Sequence, residues 1–111
     1  MRRLIEVRTY RLKPDAADRF EQTMTSRALP LLREHGMDLV AFGRSDHEHD
    51  SWYLIRAYRD RADLIAQQDA FYASAAWRLG PRADVVDCID DYLNTLLWLS
   101  DAAIDELRDP R

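Results

Sequence analysis

Cysteine, glycine and proline are scarce in this chain, and each shortage removes a class of protein. Cys88 is the one cysteine among 111 residues. A disulfide within the chain and a four-cysteine zinc site are therefore excluded, and a lone thiol fits a reducing compartment. Three glycines and four prolines leave nothing that reads as a linker, an internal repeat or a low-complexity segment. Long apolar runs are missing as well. After Met1-Arg2-Arg3 the stretch Leu4-Ile5-Glu6-Val7-Arg8 carries charge at every second step, which argues against a signal peptide, a membrane anchor or a membrane span. A cytoplasmic protein is the expectation. Positive charge is not in excess: the formal net charge is −4, and basic residues alternate with acidic ones, as in Arg59-Asp60-Arg61. No nucleic-acid partner is expected from that pattern. The chain also lacks a G-x-S-x-G elbow, a G-x-G-x-x-G turn and a Walker loop, so hydride transfer on a Rossmann scaffold and phosphoryl transfer on a P-loop are not expected, and no cofactor is called for.

What is present is an ordinary globular composition, 47% hydrophobic and 32% charged, at a length that predicts one domain over 1–111. Leu4 to Leu12 alternates with period two: Ile5, Val7 and Thr9 point one way, Leu4, Glu6, Arg8, Tyr10 and Leu12 the other, which predicts a strand. Lys13-Pro14-Asp15 ends it. Pro14 suits the first positions of a helix and Asp15 puts negative charge near its N-terminus. Phe20, Met24, Ala28 and Leu31 then recur at helical spacing, with Pro30 expected to bend or break the last turn. His35-Gly36 reads as a helix stop. Asp38 to Ser45, with Val40 and Phe42 on one face, and Trp52 to Tyr58 read as a hairpin around a polar loop. Asp60 is placed to cap a helix running to Tyr72. Ala73 to Trp77 predicts a turn into a short helix, Gly80-Pro81 a break, and Pro81 the start of another short helix. Ile89 to Leu99 fits helix and strand spacing alike; the order of the other elements favours a strand. Ser100 is expected to cap a short terminal helix, so that 99–111 form a helical tail. The sum is α+β: a β-α-β-β-α-β, ferredoxin-like antiparallel sheet with helices on one face.

A sheet covered on one side leaves its second face bare, and in a monomer that face should be polar. Here Tyr53, Ile55 and Ala57 oppose Trp52, Leu54 and Tyr58 on the third strand, and the last strand is apolar on both sides. Two elements can cover such a face: a second copy of the chain, packed by a two-fold contact, or the terminal helix folding back. The first is the expectation, so the chain itself is the expected partner.

Several residues have types that can carry chemistry. Glu6, Arg8 and Tyr10 share one face of the first strand, and Arg56, Tyr58 and Tyr92 can join them. The row can hold a polar group of a ligand, or it can be a structural network that pairs Glu6 with Arg8 or Arg56. It is expected on, or against, the face that wants a partner. Trp77, with Phe71 and Tyr72, can wall a pocket between helix and sheet; the same spacing suits plain core. His47-Glu48-His49-Asp50 has metal-ligand types at a spacing unsuited to one helix face, so a solvated loop and no metal are expected. His35 is expected to complement a helix end, and Cys88 to be a buried thiol.

Three blocks carry a family resemblance. Ile5-Glu6-Val7-Arg8-Thr9-Tyr10-Arg11-Leu12-Lys13-Pro14, Leu39-Val40-Ala41-Phe42-Gly43 after His35-Gly36, and Phe71-Tyr72-Ala73-Ser74-Ala75-Ala76-Trp77-Arg78-Leu79-Gly80-Pro81-Arg82 resemble the NIPSNAP family. The likeness runs from Leu4 to about Leu97. It departs at Asp15, where the family often has glycine. The resemblance implies a dimeric α+β barrel, in which two sheets close into one barrel, and it implies no particular reaction, because fold does not choose chemistry. The expected function is a homodimer that binds a small apolar or aromatic molecule between sheet and helices. The alternative is a cofactor-independent monooxygenase or isomerase acting on a small aromatic substrate, and a third possibility is an interaction scaffold without a pocket.

Overall fold

A computed structural model describes residues 1–108. Four strands, β1 (Arg2–Leu12), β2 (Asp38–Arg44), β3 (Ser51–Tyr58) and β4 (Ile89–Ser100), form one sheet in the order β2-β3-β1-β4. Every neighbouring pair is antiparallel. Between β1 and β2 run α1 (Ala17–Thr23), a π-helical turn (Met24–Ala28) and α2 (Leu29–Glu34). Between β3 and β4 lie α3 (Arg61–Ala73), α4 (Ala75–Arg78) and α5 (Arg82–Asp87), and α6 (Asp101–Arg108) follows β4. The α+β, ferredoxin-like arrangement is the one read from the sequence. Residues 109–111, the end of the anticipated tail, lie outside the described residues. Among the described residues no helix is long and apolar enough to cross a membrane.

The ambiguous segment is a strand because β1 needs a second neighbour. Leu4 pairs with Trp98, Glu6 with Leu96 and Tyr10 with Tyr92, which satisfies the backbone groups on that edge of β1. Capping follows the sequence closely. The Asp60 carboxylate accepts from the Asp63 amide at 2.8 Å and the Ser100 hydroxyl from the Ala103 amide at 3.2 Å. Gly36 ends α2 with φ at 78°, a conformation that glycine adopts without strain.

Three local expectations are corrected. The first helix begins at Ala17, three residues beyond Pro14, because Asp15 takes φ of 63° in the intervening turn. A non-glycine residue there carries strain on the order of 1 kcal/mol. Asp15→Gly is therefore expected to raise stability by about 0.5–1 kcal/mol, read as a higher urea midpoint with unchanged slope. Pro30 does not break its helix. It has no N–H to offer, and the chain widens into the π-helical turn just before it and resumes as α2 with Pro30 in the first turn, where a missing donor costs nothing. In β2 the register slips between Leu39 and Ala41. This bulge puts Val40 on the opposite face from Phe42, with the second core rather than the first, because an extra residue in one strand resets its alternation.

The main core lies between the sheet and α1–α5. Tyr10, Leu12, Trp52, Leu54 and Tyr58 from the strands meet Phe20, Met24, Leu29, Leu32, Phe71, Trp77 and Val85 from the helical side. The row of Glu6, Arg8 and Tyr10 faces these helices, so it lies on the opposite side from the bare face. The second face is not left wholly to a partner. α6 folds back across it and seats Ile104, fully buried, against Ile5, Val40, Ile55 and Ala57. Helices therefore occupy both faces, five on one and α6 on half of the other. The uncovered half belongs to β4, where Leu93 is 71% exposed and Leu97 is exposed too; Leu96 and Trp98, paired with Glu6 and Leu4, are exposed on the other face.

α6 is tied down by charge as well as by Ile104. Arg108 grips Asp38 through two guanidinium nitrogens, at 2.7 and 2.8 Å, and Arg3 Nη1 donates to the same carboxylate at 3.0 Å. The hydrogen bonds from Arg108, against some burial, hold the Asp38 carboxyl below its ordinary value. A depressed pKa means that the unfolded chain takes up its proton first as pH falls. The contribution is present above the usual carboxylate value, near 4, and lost as pH falls through the lower folded value. Protection of the α6 amides against hydrogen exchange is expected to fall below about pH 4, and Asp38→Asn should remove that acid step; an unchanged step would place its origin elsewhere.

Candidate functional site

Two strands and one helix bring the polar residues together. Glu6 on β1 stands opposite Arg56 on β3 in the ladder, and both are fully buried. Arg56 Nε donates to Glu6 Oε1 at 2.8 Å. Arg56 Nη2 is also 2.7 Å from that oxygen, which completes a close ion pair. Arg8, one pleat along β1, donates from Nη2 to Glu6 Oε2 at 3.2 Å, and Gln68 of α3 donates to the same oxygen at 3.0 Å. Tyr72, also on α3, accepts from Arg8 Nη1 at 3.3 Å and from Arg56 Nη1 at 3.0 Å. Gln68 reaches one step further, to the Tyr58 hydroxyl at 3.1 Å. On the β4 side Asn94 accepts from Arg8 Nε at 2.8 Å, and the Tyr92 ring lies 4.8 Å from the guanidinium carbon, within cation–π range.

Arginine does not lose its proton in proteins, so this layer holds two positive charges against the single carboxylate of Glu6. The buried Tyr58 and Tyr10 phenols do not alter the balance at neutral pH. Burial pushes Tyr58 up to about 12 against the opposing pull of Arg56, and burial, then Tyr72, raises Tyr10.

Beside this network a pocket of about 350 Å³ opens between β1, β4 and the α3–α5 side. Arg8, Gln68 and Tyr72 form its polar end; Tyr10, Trp77, Val85, Val86, Ile89 and Tyr92 form the walls; Arg82 stands at the rim. The α3–α5 connection shapes it. Ser74 ends α3 and caps α4, accepting from the Trp77 amide at 3.3 Å, which turns the Trp77 ring inward. Gly80 allows the next turn to be tight: a Cβ there would lie 2.2 Å from the Ala76 carbonyl oxygen. Arg19 to Asp87 at 2.8 Å and Arg27 to Asp84 at 2.6 Å tie α5 back to α1 and the π-helical turn.

Of the residues singled out from the sequence, Arg8, Tyr10, Trp77 and Tyr92 line the pocket. Glu6 and Arg56 lie one layer behind it and hold Arg8 and Tyr72 in place. Tyr58 joins through Gln68 and does not reach the space. Phe71 is core, 5.0 Å from Tyr72 and 5.3 Å from Trp77 by ring centroids, and supports the wall from behind. The two readings of the row, network and ligand site, thus describe adjacent layers of one arrangement. Gln68, Tyr72 as a hydrogen-bonding group, Arg82 and Val85 were not singled out as polar or lining groups. The only signal for Gln68 and Tyr72 is their spacing of four on α3, which puts both on one helix face. His47 and His49 stack at 5.5 Å in the β2–β3 loop, and no group of three or more His, Cys, Asp or Glu is placed to hold a metal among the described residues. His35 Nδ1 lies 3.0 Å from the Leu31 carbonyl at the end of α2, and Cys88 is buried.

Comparison with known proteins places this geometry. No curated protein sequence matches the chain. Its structure is similar to a NIPSNAP family protein of unknown function from Agrobacterium tumefaciens, with a TM-score of 0.81 at 20% identity over 88% of each chain. It is similar to a NIPSNAP-like domain protein from Burkholderia xenovorans, with a TM-score of 0.81 at 19% identity over 89% of this chain and 86% of that one. A candidate antibiotic biosynthesis monooxygenase from Nitrosomonas europaea is similar with a TM-score of 0.59 at 16% identity, over 86% of this chain and 88% of that one. The sequence model of the antibiotic biosynthesis monooxygenase family matches residues 3–78, which include β1, the β2–β3 hairpin, Gln68, Tyr72 and Trp77. The chain therefore belongs to the antibiotic biosynthesis monooxygenase family and has the fold of the NIPSNAP proteins that its sequence resembles.

Proposed function

We propose that the chain is a homodimer that binds a small apolar or aromatic molecule in the pocket between sheet and helices, and that it works in the cytoplasm. The observation that carries the ligand reading is the pocket itself, about 350 Å³ with mainly apolar walls and one polar end. That size and division suit a small-molecule site. Pairing is supported by the uncovered apolar half of β4, whose large side chains each contribute roughly 1.5–3 kcal/mol when buried. The reducing compartment rests on the single buried thiol. Titration calorimetry with small aromatic compounds tests the site, with Trp77→Ala as the control. A panel that gives no heat with the parent chain sinks the binding reading. Sedimentation at dilute concentration tests pairing: the parent is expected as a dimer and Leu93→Glu with Leu97→Glu as a monomer. A parent that runs as a monomer near 13.0 kDa refutes it.

Family membership favours a second reading, a cofactor-independent monooxygenase acting on a small aromatic substrate. Tyr72, backed by Arg8 and Arg56, is positioned to stabilise a negative oxygen formed when such a substrate loses a proton. Oxygen uptake with anthrone-like and catechol-like compounds separates the two readings. Binding without turnover across the panel leaves the carrier reading alone.

A further inference from the structure

The charge balance around the pocket has a direction. Two guanidiniums meet one carboxylate, and both oxygens of Glu6 are already engaged, by Arg56 on one side and by Arg8 and Gln68 on the other. One positive charge is left without a countercharge in a largely desolvated layer: Arg56 is fully buried, and the Arg8 side chain is 12% exposed and borders the pocket. A desolvated charge of this kind is costly unless something neutralises it. The pocket wall does not: Arg8 and Arg82 are its charged residues, and it contains no carboxylate. The Asp84 and Asp87 carboxylates of nearby α5 point to Arg27 and Arg19 instead.

Tyr72 adds a second, independent sign. A phenol has one hydrogen to donate and two lone pairs to accept with. The Tyr72 oxygen accepts from both Arg8 and Arg56, so its acceptor capacity is spent on the two arginines. Its own hydrogen has no acceptor among the described residues, and the side chain borders the pocket. Arg8 likewise has more N–H groups than it spends. Its Nη1 and Nη2 each carry two hydrogens and make one hydrogen bond apiece. Every spare polar hydrogen at this end of the pocket therefore seeks an acceptor, and the acceptor that also balances the charge is an anion.

We propose that the pocket selects a flat aromatic monoanion, its ionised oxygen group held by Arg8 and the Tyr72 hydroxyl and its ring held between Trp77, Ile89 and Tyr92. The inference rests on the reading that this pocket binds a small aromatic molecule, and adds the charge that the molecule carries. Bound so, the ligand supplies the negative charge that Glu6 alone does not, and its rings take the place of water against the apolar walls.

Three probes with the same two-ring body test it by titration calorimetry: 2-naphthoate, its neutral amide, and 2-naphthylmethylammonium. The carboxylate is expected to bind roughly 10-fold or more tightly than the amide, the size of effect given by charged hydrogen bonds. The ammonium compound is expected to bind more weakly than either. Arg8→Met should erase most of the difference between carboxylate and amide, with the carboxylate losing far more affinity than the amide. If Arg8→Met does not fold, as judged by circular dichroism, Tyr72→Phe keeps the ring and removes the donor, and is expected to weaken the carboxylate several-fold and the amide, which loses only a neutral hydrogen bond, by less. Equal affinity for all three probes, or preference for the ammonium compound, overturns the inference and leaves the aromatic pocket standing. Absence of heat from any of them overturns the pocket reading and the inference together.

Discussion

Glu6→Gln is expected to lower folding stability by about 3–5 kcal/mol, the range observed when one partner of a buried ion pair is removed. The size follows from what stays behind. Arg56 is fully buried beside Glu6, and its one side-chain hydrogen-bond partner besides the carboxylate, among the described residues, is the Tyr72 hydroxyl. Glutamine keeps the shape and can still accept hydrogen bonds, so the loss isolates charge from packing. Two guanidiniums would then face each other across β1 and β3 with no counter-ion. Urea unfolding measures the effect, and the midpoint should fall with little change in slope. Exchanging both partners for apolar residues, Glu6→Leu with Arg56→Met, is expected to recover most of the loss, because the charge is removed rather than stranded. A single-variant loss within about 1 kcal/mol would mean that solvent screens the pair, contrary to its burial.

Ile104→Ala is expected to cost about 2–4 kcal/mol, within the range for truncating a buried isoleucine, and to act on one element. α6 has one fully buried residue, and it is the one that seats the helix on Ile5, Ile55 and Ala57. The rest of its attachment is the clasp of Arg108 on Asp38, which is partly exposed and contributes little by itself. The helix should therefore come off before the sheet unfolds, and the cost cannot exceed the free energy of docking it. Hydrogen exchange tests this directly: α6 amides should lose protection while β1 and β3 keep theirs. The detached state bares Ile5, Ile55 and Ala57 next to Leu93 and Leu97, which makes a larger apolar face and should strengthen self-association. If β1 and β3 lose protection in step with α6, the helix is part of the main cooperative unit and not a separable cover.

The limits of reading the chain locally show at particular residues. The alternation of β1 placed Glu6, Arg8 and Tyr10 in one row, and the row exists. Which side of the sheet it faces is absent from the alternation, because period two distinguishes two faces without saying which one the connecting helices will cover. The sequence suggests that the row lies on, or against, the partner-seeking face, whereas it faces α3. Val40 and Phe42 were put together for the same reason, until a bulge separated them. The candidate site was legible where strands carry it and mostly hidden where α3–α5 do. Arg8, Tyr10 and Tyr92 come from regular strands, but Tyr72 and Gln68 join through distances that only the packing of α3 on β1 and β3 creates. Trp77 was visible as an aromatic residue, and its use as a wall depends on the turn at Ser74 and Gly80.

By itself, the sequence determined the order of elements, the caps at Asp60 and Ser100, the stop at Gly36, the apolar character of both faces of β4 and the likeness to NIPSNAP proteins. The first four follow from periodicity and local hydrogen bonding, whose range is a few residues; the likeness is a resemblance carried by the three sequence blocks. Tertiary structure decided the register in which β4 pairs with β1, that α6 covers half of the second face, and that one carboxylate is shared by two arginines next to a pocket. Each of these depends on groups far apart in the chain. Their burial and charge balance are properties of the packed layers, and no segment carries them alone.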